Sequence, residues 1–203
     1  MKSTIILVRH GQTYWNQKEK MQGQINIPLT ERGKQQAANL SDTLHDYHFD
    51  ICYASPLSRA VDTAKIVLHD ETVPLITNNL LLEQACGLAE GTSYHEDLFY
   101  RFRPAYTYHT DPEHYVPLDG GETFNQLYER CDRIIQELLM PAAEQYRTIL
   151  VASHGVTLCA LSGRLRQIPL HDFWSAKLSN CGYMILEAEG NELHWIMQTS
   201  YKK

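Results

Sequence analysis

Ile5-Ile-Leu-Val-Arg-His-Gly11 is the stretch that decides the fold, and Ile149-Leu-Val-Ala-Ser-His-Gly155 says the same thing far down the chain. The apolar run in each is short and unbroken, with β-branched residues in it, where a half-exposed strand would alternate. Both therefore predict strands buried on two faces, the kind found in parallel sheets covered by helices on either side. Both runs also end in His-Gly. Two histidines are thus set at the carboxyl ends of buried strands, although the surrounding sequence does not repeat.

Working outward, Asp50-Ile-Cys-Tyr-Ala-Ser55 reads as a second strand, Thr72 to Thr77 as a third and Thr148 to Ala152 as a fourth. Residues 183–187 and 192–197, parted by Glu189-Gly190-Asn191, read as a closing hairpin or edge pair. Helices fill the gaps. One opens at Thr30-Glu31, with Thr30 as its cap, and runs to about Tyr47. Another takes Ser55-Pro56 as N-cap and first-turn proline, carries Arg59 in its first turn and reaches about His69. Residues 121–146 predict one long helix with an apolar stripe of Phe124, Leu127, Cys131, Ile134, Ile135 and Leu138. Strands alternating with helices give an α/β fold, a three-layer αβα arrangement with a mainly parallel central sheet. Residues 92–120, rich in Tyr, His, Pro and charge, break the alternation and read as a cap or insertion over the strand carboxyl ends. No linker divides the chain, so residues 1–203 are expected to form a single domain.

Composition narrows the class. With 43% apolar residues, 12 Tyr, 5 Phe and 3 Trp in 203 residues, the chain can bury a large core and is not disordered in bulk. No apolar run approaches the roughly 20 residues of a membrane span. The amino-terminal segment lacks the apolar region and cleavage site of a secretion signal, so a cytoplasmic location is expected. A net charge of -6 speaks against a broad nucleic-acid footprint. The five cysteines form no CxxC pair and read as free thiols. His45 and His48, like His109 and His114, read as surface pairs, since no carboxylate or thiolate joins them as metal ligands would.

In open α/β sheets ligands bind outside the carboxyl ends of the parallel strands, so His10 and His154 are expected to face one crevice. Arg59 follows the second strand in the same sense, at a helix N-terminus whose N–H groups and dipole favour an anion. Arg9 supplies a second guanidinium. Taken singly, the arginines would read as surface ion pairs and His154 as a satisfied core histidine. Their joint placement points to a site. Arginine grips phosphate oxygens through a bidentate fork, so two Arg with two His suit a phosphoryl group better than a carboxylate or a neutral ligand. The implied ligand is a phosphomonoester.

These residues carry a family resemblance. Leu7-Val-Arg-His-Gly-Gln-Thr13, followed by Trp15-Asn16, resembles the signature of the histidine phosphatase superfamily, also called the phosphoglycerate mutase-like family. The resemblance extends through Gln22-Gly23, Pro28-Leu-Thr-Glu-Arg-Gly33 with Gln36-Ala37, Ser55-Pro-Leu-Ser-Arg59-Ala60 with Thr63-Ala64, and Ser153-His-Gly155. It implies that His10 attacks phosphorus and forms a phosphohistidine, its other ring nitrogen tied to a backbone carbonyl. It further implies that Arg9, Arg59 and His154 bind the phosphoryl oxygens, that Asn16 donates another hydrogen bond, and that Thr13, Gln22, Gly23 and Gly155 belong to the same pocket. The general acid falls in Leu81-Leu-Glu83, and Glu83 is the group assigned, with Glu90 as the alternative acid. No metal and no cofactor is implied.

The sequence departs from the family pattern at Ala89, where an aromatic is usual before Glu-Gly, and at Asn26, where relatives often carry an acid; only a local loop effect is expected at Asn26. After Glu83 come Gln84-Ala85-Cys86-Gly87-Leu88, without the cations that dedicated mutases place there to hold a second anion. The resemblance therefore favours a phosphatase acting on a small phosphorylated metabolite. A cofactor-dependent phosphoglycerate mutase is the first alternative, and a non-catalytic phospho-ligand binding protein the second. Arg101 and Arg103 in the cap are candidates for reading a second anionic group on the substrate. The oligomeric state is not readable.

Overall fold

The computed structural model describes residues 2–69, 72–93 and 103–199, without the side chains of 103–106. Six strands are present: β1 Lys2–Arg9, β2 Ile51–Ala54, β3 Leu75–Thr77, β4 Thr148–Ser153, β5 Tyr183–Glu189 and β6 Glu192–Gln198. They form one mixed sheet in the order β3-β2-β4-β1-β5-β6. The first four of that order are parallel, and β5 and β6 close the edge as an antiparallel pair.

The unbroken apolar run of β1 works as the sequence predicts. Ile5 and Leu7 point to one side, Ile6 and Val8 to the other, and all four are fully buried. At roughly 1.5–3 kcal/mol for each such side chain, the strand has a strong two-sided drive to the middle of the sheet. Ile6 and Val8 join Leu150 and Ala152 in a core with Leu40 of α2 (Glu31–Thr43) and Ala60 and Ala64 of α3 (Ser58–Leu68). Ile5 and Leu7 join Ile149 and Val151 in a second core with Phe124 and Leu127 of α5 (Phe124–Arg133) and Leu158 of α7 (Gly155–Leu165). The other α-helices among the described residues are α1 (Tyr14–Gln17), α4 (Arg103–Thr110) and α6 (Met140–Gln145). Helices on both faces of the sheet give the three layers expected.

α2 ends at Thr43, short of the expected Tyr47, and three further differences from the sequence reading have a physical reason. β3 begins only at Leu75, because Pro74 has no N–H for a ladder and offers only its carbonyl, to Cys52 N at 2.8 Å. The long helix over 121–146 is broken by a π-helical stretch at Ile134–Leu139, immediately before α6 and its Pro141. A proline there removes one helical hydrogen bond and crowds the carbonyl four residues back, which the widened turn accommodates. Ser55 does not cap α3. The helix starts at Ser58, and Asn26 Oδ1 accepts from both Ser58 N and Ser58 Oγ at 2.8 Å. Asn26 thus caps a distant helix, a larger role than the loop effect expected of it.

The sheet aligns its strand ends. Arg9 is in register with Ser153, and Ala54 with Ala152, so the chain leaves β1, β4 and β2 at one level. Outside β1 the chain crosses the start of α2 so closely that a Cβ on Gly11 would lie 2.3 Å from Gly33 O, and one on Gly33 would lie 2.1 Å from Gln12 O. Glycine at both positions permits that crossing. It brings the loop after His10 against the helix that carries Arg32 and Gln36. Of the cap, Arg101 and the aromatics Tyr94, Phe99, Tyr100 and Phe102, with the side chains of Arg103 and Tyr106, lie outside the described residues.

Candidate active site

A cavity of about 510 Å³ opens at these strand ends, within the ordinary range for a small-molecule site. Arg9, His10, Asn16, Gln22, Gly23, Arg59, Glu83 and Gly155 line it. Thr13 and His154 stand behind that wall, both fully buried.

His10 follows β1 directly and is 2% exposed. Its Nδ1–H donates to the Gly11 carbonyl at 2.7 Å, which fixes the tautomer and leaves Nε2 without a proton. The loop is itself held. Gly11 N donates to Thr63 Oγ1 at 3.1 Å, and Asn180 Nδ2 donates to the His10 carbonyl at 3.1 Å. Burial first, then the Arg59 and Arg9 guanidinium groups, holds the His10 imidazole well below the usual 6.5, so the ring is neutral at physiological pH.

Two guanidinium groups converge there. Arg59 lies in the first turn of α3 and is fully buried, with Nη1 donating to Ile25 O and Nη2 to Gly23 O, each at 2.7 Å. Burial lowers it to about 10, opposed by Glu83 and Glu90, and it remains cationic at neutral pH. Each Nη keeps one further N–H beyond those bonds. Arg9 Nη1 donates to Leu178 O at 2.6 Å, while its buried Nε has no hydrogen-bond partner. An orphaned buried donor is costly. A Cβ on Gly155 would lie 3.0 Å from the Arg9 guanidinium, so the first helical residue of α7 must be small for Arg9 to lie across it.

His154 is placed differently from His10, although the ring centroids are 5.2 Å apart. Its Nδ1 accepts from Arg59 Nε at 3.2 Å, and its Nε2 lies 2.7 Å from Ser55 Oγ. Both ring nitrogens are engaged. Burial, then Arg59 and His10, keeps this imidazole well below its usual 6.5 as well.

Glu83 reaches the cavity from the segment after β3 and is 8% exposed. Oε1 accepts from Thr157 N at 3.0 Å, Thr157 Oγ1 at 3.1 Å and Gln84 N at 2.9 Å; Oε2 accepts from Val156 N at 3.2 Å. The carboxylate therefore closes the amino end of α7, whose own N-cap, His154, makes no side-chain capping bond. Glu90, the alternative acid, is spent on the loop: its Oε1 accepts from Gln24 N at 2.9 Å and Cys86 N at 3.1 Å.

Thr13 acts from behind. It caps α1 in a reciprocal capping box with Asn16 and donates to Gln22 Oε1 at 2.8 Å, so one buried hydroxyl positions two amides of the cavity wall. Sequence reasoning missed several contributors. Ser55 carried only a local capping signal, although it belongs to the segment that carries the resemblance. Thr63 stands in a family-like segment without any cue to its contact, and Asn180 was not read as a site residue. Arg32 and Gln12 also line the cavity; both lie in stretches that carry the resemblance, which gave neither a role. Among the described residues no cluster of His, Cys, Asp and Glu could hold a metal, and no helix is long and apolar enough to cross a membrane.

Fold and site together define an α/β protein with a neutral buried histidine lining a cavity on which two guanidinium groups converge. Residues 5–199 match the profile of the Histidine phosphatase superfamily (branch 1), and the chain belongs to that superfamily. It is 30% identical to Phosphoserine phosphatase 1 of Hydrogenobacter thermophilus, over 91% of this chain and 86% of the relative. It is 32% identical to the 2,3-bisphosphoglycerate-dependent phosphoglycerate mutase of Cytophaga hutchinsonii, over 83% and 79%. The crystal structure of the alpha-ribazole phosphatase from Shigella flexneri superposes with a TM-score of 0.86 at 28% identity, covering 97% of this chain and 96% of the other.

Proposed function

We propose that the protein is a metal-independent phosphatase that hydrolyses a small phosphomonoester through a phosphohistidine on His10. The observation that carries this reading is the His10 ring itself. With Nδ1–H on the Gly11 carbonyl and the imidazole held neutral by burial, Nε2 presents a lone pair to the cavity without first losing a proton. Nε2 attacks phosphorus, and the ester P–O bond breaks as the N–P bond forms. For the leaving oxygen the step needs Glu83 in its protonated form, the proton on Oε2, which accepts only the Val156 N–H where Oε1 accepts three donors. Glu83 gives that proton to the leaving oxygen and later takes one from the water that attacks the phosphohistidine. That second displacement returns His10 and releases inorganic phosphate. Arg9 and Arg59 neutralise the equatorial oxygens, charge that a metal supplies in many other phosphoryl-transfer sites.

The mutase named among the relatives would use the same nucleophile and hand the phosphoryl group to a hydroxyl instead of water. Phosphate release from a panel of monoesters, in the presence of a chelator and without any bisphosphate primer, separates the two. The wild-type protein is expected to release phosphate and His10→Ala to release none. Glu83→Gln is expected to slow alkyl phosphates by about 10²-fold or more and aryl phosphates, whose leaving groups need less help, far less. Turnover that appears only with a bisphosphate primer would make the protein a mutase, and loss of turnover on chelation would remove the metal-independent mechanism.

A further inference from the structure

Four side-chain amides on the cavity wall have their carbonyl oxygens tied back to the protein. Gln36 Oε1 accepts from Gln12 N at 2.9 Å and Asn16 Oδ1 from Thr13 N at 3.1 Å; both donors are backbone N–H groups, which fixes the amide orientations. Gln12 Oε1 accepts from Thr30 Oγ1 at 3.0 Å, and Gln22 Oε1 from Thr13 Oγ1 at 2.8 Å. Each amide is thereby left with its NH₂ as the group available to a ligand. Asn16 and Gln22 are tied to Thr13 and, through Asn180, to the His10 carbonyl, whereas α2 and its cap hold Gln12 and Gln36. They lie where the loop after β1 crosses α2, and Arg32 lines the same cavity one helical turn before Gln36, on the same face of α2.

Arg32 is exposed, and it has no ion pair among the described residues. Its sequence neighbour Glu31 is taken by Lys34 at 2.8 Å. Among the described residues that line the cavity, Glu83 carries the one carboxylate, and its oxygens face the amides of α7. The α2 wall therefore offers hydrogen-bond donors and positive charge, and no acceptor to match a cationic or donor-rich ligand.

We propose that Arg32, with the amide groups of Gln12 and Gln36, forms a leaving-group subsite that selects phosphomonoesters whose alcohol carries a second anionic acceptor, a carboxylate or another phosphate. The phosphatase reading is used only to say where the phosphoryl group sits. A guanidinium flanked by two amide donors pairs with a carboxylate through a bidentate fork, and it leaves those donors unmatched when the ligand ends in a hydroxymethyl or ammonium group. Selection by donors that would otherwise go unmatched is stronger than selection by shape alone.

The test compares 3-phosphoglycerate with glycerol 3-phosphate, which differ by a carboxylate against a hydroxymethyl group, with p-nitrophenyl phosphate as the reference. The wild-type kcat/KM is expected to favour 3-phosphoglycerate over glycerol 3-phosphate by about 10-fold or more. Arg32→Ala should remove most of that ratio while leaving p-nitrophenyl phosphate within about two-fold. Arg32→Glu should turn the preference toward phosphoethanolamine. Arg32 is exposed, so neither change threatens the fold. A bisphosphorylated glycerate outranking 3-phosphoglycerate would name the second phosphate as the selected group. Equal rates on the first pair, or an equal loss on all esters in Arg32→Ala, would overturn the subsite. If no ester is turned over, the phosphatase reading fails by itself, and the same pairs are compared as Kd by calorimetry, so the subsite still stands or falls separately.

Discussion

The two strand ends that open the sequence reading share almost one sequence and end in opposite states. Both place a His-Gly after a buried strand, at the same level of adjacent parallel strands. His10 spends one ring nitrogen on its own loop, Gly11 O, and keeps the other for the cavity. His154 spends both, one on Arg59 and one on Ser55, and stands behind the wall. What separates them is the supply of partners. The loop after β1 curls back over its own histidine, whereas the chain after β4 goes straight into α7, and the ring of His154 finds its partners on the β2–α3 connection and the first turn of α3. A strand-end histidine becomes a candidate nucleophile when its second nitrogen is left over, and a support for an arginine when it is not.

The largest expected effect breaks this comparison most directly. His10→Ala should lower kcat by roughly 10⁴-fold or more and abolish the phosphoenzyme seen by alkaline-quench labelling, since no group remains to receive the phosphoryl. His154→Ala should still form the phosphoenzyme but more slowly, by about 10²- to 10³-fold, the usual cost of removing a group that organises transition-state charge. Labelling that survives in His10→Ala and disappears in His154→Ala would reverse the two roles.

A second expectation uses what the rings share. Both imidazoles are held well below 6.5, burial being the first cause in each case. In the unfolded chain they take a proton near 6.5, and in the folded protein they do not. Their contribution to stability is therefore intact above that pH and lost progressively as pH falls below it, by up to ~1.4 kcal/mol per pH unit for each ring. Denaturant unfolding at pH 8, 6.5 and 5.5 should show the decline, with a shallower slope in His154→Ala and in His10→Ala. Parallel slopes in all three proteins would mean that neither ring is kept neutral by the fold.

Much of this was legible in the sequence, for reasons that can be named. β1 and β4 declare themselves because a strand covered on both faces needs an unbroken apolar run, and Ile5–Val8 and Ile149–Ala152 are such runs. The sheet then brings His10, Arg9 and Arg59 to one edge through topology alone. Asn26, Arg32 and Ser55 were not legible. Asn26 caps a helix that begins 32 residues later, and its sequence neighbours show nothing of it. Arg32 in a first helical turn looks like any solvated cation until the crossing of Gly11 over Gly33 folds it against the cavity. The π-helical turn before Pro141 is invisible to a periodicity that fits a regular helix equally well.

Ser55 is the sharpest case and carries the smallest expected effect. A serine before a proline reads as a helix cap, yet α3 starts three residues later and the hydroxyl sits 2.7 Å from His154 Nε2, 99 residues away in sequence. Its backbone N–H donates to Ala152 O, which ties the end of β2 to β4 and sets the hydroxyl at the right height. Ser55→Ala leaves a buried ring N–H without a partner, a loss of about 1–3 kcal/mol in stability. The ring is then free to turn, and Arg59 Nε loses a fixed acceptor. A fall in kcat/KM of about ten-fold is expected, with weaker competition by inorganic phosphate, because the arginine is displaced while the nucleophile is untouched. Ser55→Thr keeps the hydroxyl and should restore phosphate binding. If Ser55→Ala lost stability but kept wild-type competition by phosphate, the hydroxyl would serve only the core, and His154 would hold Arg59 without its help.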